Sequence, residues 1–191
     1  MLFLGSSSPA RMLMIKRIYN GDINVLHPDV DESVLKNEKP SDYAKRISGL
    51  KLQAVMEKVG NLNSGVIICC DTVCSRGRLI LPKAETNSDV EECMRLLSGR
   101  NHDVFTSISA VNLSDGRIVN KISHTRVKFK NLSKKDISDM VNFGDGIGKA
   151  GGYTINGFAE SFIIKIIGQY SNIVGLPLYE TRNILMSFGI L

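Results

Sequence analysis

Asp71 and Lys83 stand out as residues able to do chemistry, because each ends an apolar run in the stretch VIICCDTVCSRGRLILPK from Val66 to Lys83. Runs of about four to eight apolar residues joined by a short Gly-containing link read as a hairpin of buried strands. With the turn centred between Arg76 and Gly77, antiparallel pairing brings Lys83 within about one residue of Asp71 across the ladder. An acid and a base then sit side by side at the open end of a buried sheet. They form either a structural ion pair or the centre of a site.

Three further segments carry candidate groups. Leu2 to Leu4 reads as a short buried strand, followed by Gly5-Ser6-Ser7-Ser8 and Pro9-Ala10-Arg11. Ser8 suits an N-cap and Pro9 the first helical position, so a helix is expected from here to about Ile18. Hydroxyls and free backbone N–H groups in such a loop make an anion site, with Arg11 adding charge; the same residues also make an ordinary strand-to-helix turn. A hydrolase elbow is excluded, since G-x-S-x-G needs Gly where Pro9 stands. Asn24 to Leu26 reads as a second strand, after which Asp29, Asp31 and Glu32 form a cluster that suits a hard divalent cation or a solvated acidic loop. Gly144 to Gly157 reads GDGIGKAGGYTING but fails the Walker pattern at Phe143 and Ala150, and no strand leads into it as a dinucleotide fold requires. It is a loop able to approach a ligand closely, or a long connection.

The remaining chain supplies elements to position these groups. Ser41 is expected to cap a helix carrying Tyr43, Ile47, Leu50 and Ala54 and ending near Gly60. Arg46 and Lys51 fall beside that stripe, at a cleft edge or a core margin. Ser88 to Glu91 reads as a capping box for a helix bearing Val90, Cys93, Met94 and Leu97, ended by Gly99. Val104 to Leu113 and Arg117 to Phe129 make a long hairpin around Ser114-Asp115-Gly116. Arg126, Lys128 and Lys130 alternate on it as a solvated face, with nucleic-acid contact the lesser alternative. Ser133 to Asp136 opens a helix with Ile137, Met140 and Val141. Phe162 to Ile167 reads as a buried strand, and Asn172 to Pro177 leads into a last helix through Ile184 and Phe188. Strands and helices mixed along the whole length indicate an α/β fold in which one sheet serves two lobes.

Composition narrows the classes. At 191 residues with 43% hydrophobic and 23% charged side chains, the chain buries a genuine core and is not extensively disordered. A net charge of +5 fits an anionic ligand without requiring one. Cys69, Cys70, Cys74 and Cys93 contain no C-x-x-C pair, so they are expected as buried free thiols, with a reducing cytoplasm the default setting. The apolar run Leu2 to Leu4 is too short for a signal peptide or membrane span, and a soluble, unprocessed protein is expected.

LFLGSSSPAR, Asp31-Glu32, ICCDTV, LPKAE, LLSGRNHDVFT, GKAGGYTINGFAESF and SNIVGLPLYET together, in this order over nearly the whole chain, resemble the Maf family of nucleoside triphosphate pyrophosphatases, once described as septum-formation factors. The resemblance implies a single Maf-like domain over residues 1–191. Its fold would be an elongated, two-lobed mixed sheet flanked by helices, related to the inosine-triphosphate pyrophosphatase fold, with the substrate cleft between the lobes. It implies a serine-rich anion loop at Ser6 and Ser8, a basic residue at Arg11, phosphate-binding lysines at Lys51 and Lys83, a metal-associated acid at Glu32 and a catalytic acid at Asp71. The reaction would be attack of water on the α-phosphorus, giving the monophosphate and pyrophosphate. Asp71 and Glu32 would hold Mg²⁺ or Mn²⁺, with Asp71 acting as general base or chiefly as metal ligand. Thr72 resembles the dTTP/UTP branch, whereas Asn156 replaces that branch's Gln and Ala10 replaces a second arginine. The substrate therefore leans to pyrimidine nucleotides, and a homodimer is what the family implies. The rival reading is a non-enzymatic regulator of cell division that binds nucleotides or nucleic acid through the same groups.

Overall fold

The computed structural model describes all residues from Met1 to Leu191. In chain order these form β1 (Leu2–Gly5), α1 (Pro9–Ile15), β2 (Ile23–Leu26), α2 (Pro40–Val59), β3 (Val66–Arg76), β4 (Leu79–Leu81), α3 (Asn87–Leu97), β5 (Asn101–Asn112) and β6 (Ile118–Phe129). There follow α4 (Lys134–Phe143), a 3₁₀ turn (Phe158–Phe162), β7 (Ile163–Ile167), α5 (Tyr170–Val174) and α6 (Leu178–Ser187). One mixed sheet runs β2-β1-β3-β5-β6-β7, with β4 added to β3. β1 lies parallel to β2 and β3, and every other pairing is antiparallel. No helix is long and apolar enough to cross a membrane.

β3 is the axis because both its faces are covered. Its side chains alternate with period two: Ile67 and Cys69 pack with Leu52 and Val55 of α2, whereas Ile68 and Cys70 pack with Ile15 of α1 and Ile184 and Leu185 of α6. Beyond Asp71 the strand enters a second core, where Cys74 meets Val90, Cys93, Met94 and Leu97 of α3 and Met140 of α4. Two apolar cores therefore share one long strand, which makes two lobes. Each fully buried side chain such as Ile67 or Met94 stabilises this arrangement by about 1.5–3 kcal/mol.

Between the lobes the edge of β3 is open. β1 accompanies β3 only from Val66 to Cys69, and β4 joins the ladder only from Cys74. Asp71, Thr72 and Val73 pair with β5 on one side and have no strand on the other. β1 leaves because Gly5 leads into a serine turn, and α1 begins where Ser8 caps the helix by accepting from Arg11 N, with Pro9 in the first turn.

Several boundaries differ from the sequence-based expectation for identifiable reasons. β3 does not stop at Asp71 but carries it through the middle of the strand. α1 ends at Ile15, short of Ile18. α2 starts at Pro40 rather than after Ser41, because Pro at the first position sets the helical φ itself. Its buried face is Tyr43, Ala44, Ile47, Lys51 and Leu52, leaving Leu50 exposed. The capping box of α3 is Thr86 with Asp89, whose carboxylate reaches back to Thr86 N at 2.8 Å, two residues before Ser88. β7 is an exposed edge, not a buried strand, with Ile164 at 60% exposure. The helix opened by Ser133 to Asp136, the β5–β6 hairpin and the four buried free thiols are as expected.

Candidate active site

The gap along β3 opens into a cleft of about 380 Å³ lined from both lobes. Its deepest charged pair is Asp71 on β3 and Lys51 on α2, only 3% and 6% exposed. Odd-numbered residues of β3 face α2, which is why Asp71 meets Lys51: Nζ donates to Asp71 Oδ1 at 2.6 Å. The same Nζ lies 2.7 Å from Glu32 Oε1, and Lys83 Nζ lies 2.7 Å from Glu32 Oε2. The four groups form a chain Asp71–Lys51–Glu32–Lys83. Burial pushes the Asp71 carboxyl above the usual range, against the pull of the Lys51 charge and hydrogen bond. Burial also acts on Glu32, but hydrogen bonds from Lys51 and Lys83 outweigh it and bring its pKa down to about 2.

The Asp71–Lys83 pair read from the hairpin is not formed. Cys74 opposes Leu81, so two more residues of ladder would set Lys83 opposite Thr72. The strand ends first, because Pro82 has no N–H to donate, and Lys83 bridges instead to Ala150. Nor do the three clustered acids converge. Asp31 Oδ1 accepts from Ser33 N at 2.8 Å, and only Glu32 reaches the cleft. No three acidic, His or Cys side chains form a metal-binding group. Arg46 is not at the cleft: it grips Glu38 at 2.7 Å and the Ser33 carbonyl at 2.8 Å, which ties the Glu32 loop to α2. Tyr43 Oη helps by donating to the Glu32 carbonyl at 2.9 Å.

The opposite wall is built on Arg11. Its Nε donates to the Gly175 carbonyl at 2.8 Å, Nη1 to Ser6 Oγ at 3.1 Å and Nη2 to Thr72 Oγ1 at 3.0 Å. Gly175 has φ +107°, and a Cβ there would stand 3.1 Å from Thr72 Oγ1, so glycine is required. Ser6 Oγ accepts from both Arg11 and Ser8 N, and Ser8 Oγ accepts from Arg11 N. With these lone pairs occupied, both hydroxyl protons are left to donate, as an anion requires.

Lys149, Ala150, Tyr153 and Thr154 close the cleft from the glycine-rich loop. Gly151 N donates to the Pro82 carbonyl at 3.2 Å, and a Cβ on Gly151 would come within 2.6 Å of Cys74 Sγ. Sequence motifs missed Lys149 and Thr154, because their position depends on this docking rather than on a phosphate-loop pattern. The available signal was a lysine among glycines. Asn156 is exposed and outside the lining; its Oδ1 accepts from Thr154 Oγ1 at 2.6 Å, so it reaches the cleft through Thr154.

The donor set suits a hard divalent ion of the Mg²⁺ kind. Asp71 Oδ1 and Glu32 Oε1 converge on one positive point, the Lys51 ammonium, at 2.6 and 2.7 Å. Two carboxylates do not complete a coordination shell, but Mg²⁺ is commonly held by one or two carboxylates together with substrate phosphates and water.

The family model described as "Maf-like protein" matches residues 1–188. A dTTP/UTP pyrophosphatase of Rhodopseudomonas palustris (strain BisB5) is 42% identical over 98% of this chain and 92% of its own length. A nucleoside triphosphate pyrophosphatase of Rickettsia canadensis (strain McKiel) is 41% identical over 98% and 93%. Among solved structures, a nucleoside-triphosphatase (dITP/XTP pyrophosphatase) of Mycobacterium abscessus aligns at TM-score 0.45 and 12% identity over 98% of this chain and 95% of that chain, a likeness too distant to guide the reading of the cleft. The match to the family model over almost the whole chain identifies this protein as a member of the Maf-like family.

Proposed function

We propose that the cleft hydrolyses nucleoside 5'-triphosphates between the α and β phosphates, with dTTP and UTP as the favoured substrates. The observation that carries the reading is a buried carboxylate, Asp71, at an open strand edge between an arginine–serine wall and a lysine wall. Hydrolysis of this bond needs a positioned water, a proton acceptor and neutralisation of the departing pyrophosphate more than a protein nucleophile. Asp71 takes a proton from the attacking water as its oxygen bonds to the α-phosphorus. Burial raises the proton affinity of Asp71 above that of a surface aspartate, which suits a base, while the charge and hydrogen bond of Lys51 favour its ionised form. The bond to the β-phosphate then breaks, and Arg11 and Lys83 take up the charge on the leaving pyrophosphate. Ser6 and Ser8 donate to phosphate oxygens, and Thr72 fixes Arg11.

Asp71 and Glu32 would hold Mg²⁺ or Mn²⁺, which supplies charge neutralisation at the phosphates. Asn156 orients Thr154 at the base end and contributes to the preference for dTTP and UTP, the substrates in the names of several relatives. The working form is a single-domain homodimer in the cytoplasm. The test is pyrophosphate release from a panel of triphosphates with Mg²⁺ or Mn²⁺: release that is fastest with dTTP and UTP is expected. No release from any triphosphate, with DNA binding retained and sensitive to salt, would instead establish the regulator reading.

A further inference from the structure

Four cations line the cleft: Arg11, Lys51, Lys83 and Lys149. Lys51 and Lys83 are matched within the protein by Asp71 and Glu32. Arg11 has three hydrogen bonds to neutral groups and no carboxylate partner. Lys149 differs from all of these, since its ammonium has no ion pair and no hydrogen bond. Its backbone, in contrast, is held firmly. The Lys149 carbonyl accepts from Ala84 N at 3.1 Å and from Gly152 N at 3.0 Å, and Gly148 N donates to the Ala84 carbonyl at 2.7 Å. The neighbouring Ala150 bridges to Lys83. A free ammonium therefore stands on a fixed base beside Lys83, so little backbone entropy is lost when an anion is bound.

Charge bookkeeping gives the same result. Asp71 and Glu32 cancel Lys51 and Lys83, which leaves Arg11 and Lys149 as the uncompensated charges, one on the β1–α1 wall and one on the glycine loop. A ligand that satisfies both must spread negative charge along its length, as a polyphosphate chain does and a single phosphate does not. We propose that Lys149 is a substrate-binding residue, the second anchor of the triphosphate chain, taking the end opposite Arg11. This rests on the pyrophosphatase reading of the cleft. Lysine suits the place because a point charge on a flexible stem follows phosphate oxygens as the chain is cleaved.

The experiment is calorimetric binding of inorganic tripolyphosphate, in Mg²⁺ buffer, to the full chain and to Lys149→Met, Lys149→Arg and Lys165→Met, the last an exposed lysine of β7. Loss of one solvent-exposed ion pair predicts about fivefold weaker binding for Lys149→Met, near-normal binding for Lys149→Arg, and no change for Lys165→Met. All variants should melt together, because the loop is docked through its main chain. With UTP, Lys149→Met should raise KM more than it lowers kcat. Binding of tripolyphosphate by Lys149→Met within about twofold of the unaltered protein overturns the inference, as does failure of the unaltered protein to bind it. Active protein with an unaffected Lys149→Met removes the role of Lys149 and keeps the pyrophosphatase reading. The expected binding pattern without pyrophosphate release does the reverse.

Discussion

Thr72 and Thr106 share a hydrogen bond of 2.9 Å whose direction is fixed by what lies on either side of it. Thr106 Oγ1 gives its single proton to the Asn172 carbonyl at 2.8 Å, so Thr72 must donate to Thr106. Thr72 in turn accepts from Arg11 Nη2. The result is a one-way chain, Arg11 to Thr72 to Thr106 to Asn172, that points the Thr72 proton into the protein. Thr72 therefore serves the site by holding Arg11.

Thr106→Val keeps the shape of the side chain and cuts this chain. The Asn172 carbonyl and the Thr72 hydroxyl lose their buried partner, which costs about 1–3 kcal/mol of stability. Freed from its far anchor, Arg11 should position phosphate less well, with kcat/KM down by roughly tenfold while Thr106→Ser stays near normal. Urea unfolding and steady-state pyrophosphate release check both parts. Equal kinetics for the Val and Ser variants would show that Arg11 needs no such support.

Asp71→Asn removes the charge and the proton acceptor with almost no change in volume. Turnover should fall by at least about a hundredfold, the low end for loss of a general base, while the circular dichroism spectrum is retained. Lys51 keeps Glu32 as partner at 2.7 Å, which limits the cost to the fold. Near-normal pyrophosphate release by this variant would remove Asp71 from the mechanism.

Chelation separates the two carboxylates. EDTA should abolish turnover, and Mg²⁺ or Mn²⁺ should restore it. Glu32→Gln should restore only at metal concentrations higher by about tenfold or more, because half of the protein's donor set loses its charge. A metal titration identical to that of the unaltered protein would assign Glu32 to holding Lys51 and Lys83 alone.

The α1 cap was readable because Ser8, Pro9 and Arg11 interact within four residues of chain, and the helix start follows from local chemistry. The partner of Asp71 was not. Lys51 and Lys83 were both visible as candidate cations, but which of them meets Asp71 depends on the face of β3 that packs on α2 and on Pro82 ending the ladder. Thr106 and Asn172 each lie in a motif that carries the family resemblance, but nothing local says that they meet, since they are 66 residues apart and join only after β5 and α5 have docked. Lys149 was in plain view, yet a phosphate-loop test was the wrong one for a cation placed by a main-chain bridge to Ala84.

Asn156 Oδ1 holds the Thr154 hydroxyl proton at 2.6 Å, so a longer side chain at this position should re-aim Thr154 within the cleft. Asn156→Gln is expected to change the ratio of UTP to purine triphosphate turnover by about tenfold, the low end of the roughly 10–200-fold span that one methylene controls in a binding pocket. Ratios of kcat/KM measured for UTP, dTTP and GTP decide it. An unchanged ratio would exclude Asn156 from substrate selection.

His102 gives the protein an acid-sensitive point away from the cleft floor. It is fully buried, with Nε2 2.8 Å from Tyr153 Oη and Nδ1 without a partner, packed edge-on against Phe129. Burial depresses its pKa to about 4 from an ordinary 6.5, with Asp103 pulling weakly the other way. Between these values the unfolded chain binds a proton that the native state refuses, so stability rises with pH through this window. The contribution is complete above about pH 6.5 and is lost as pH falls toward 4, on the order of 3 kcal/mol in all. His102→Gln retains an amide to meet Tyr153 Oη but cannot titrate. Urea midpoints measured from pH 7 to pH 4.5 should therefore fall steeply for the unaltered protein and much less for the variant. Asp71, whose pKa is shifted in the opposite direction, titrates equally in both and cancels from the comparison. Parallel curves would mean that His102 accepts its proton in the folded state, and that the burial around Tyr153 is looser than the packing against Phe129 indicates.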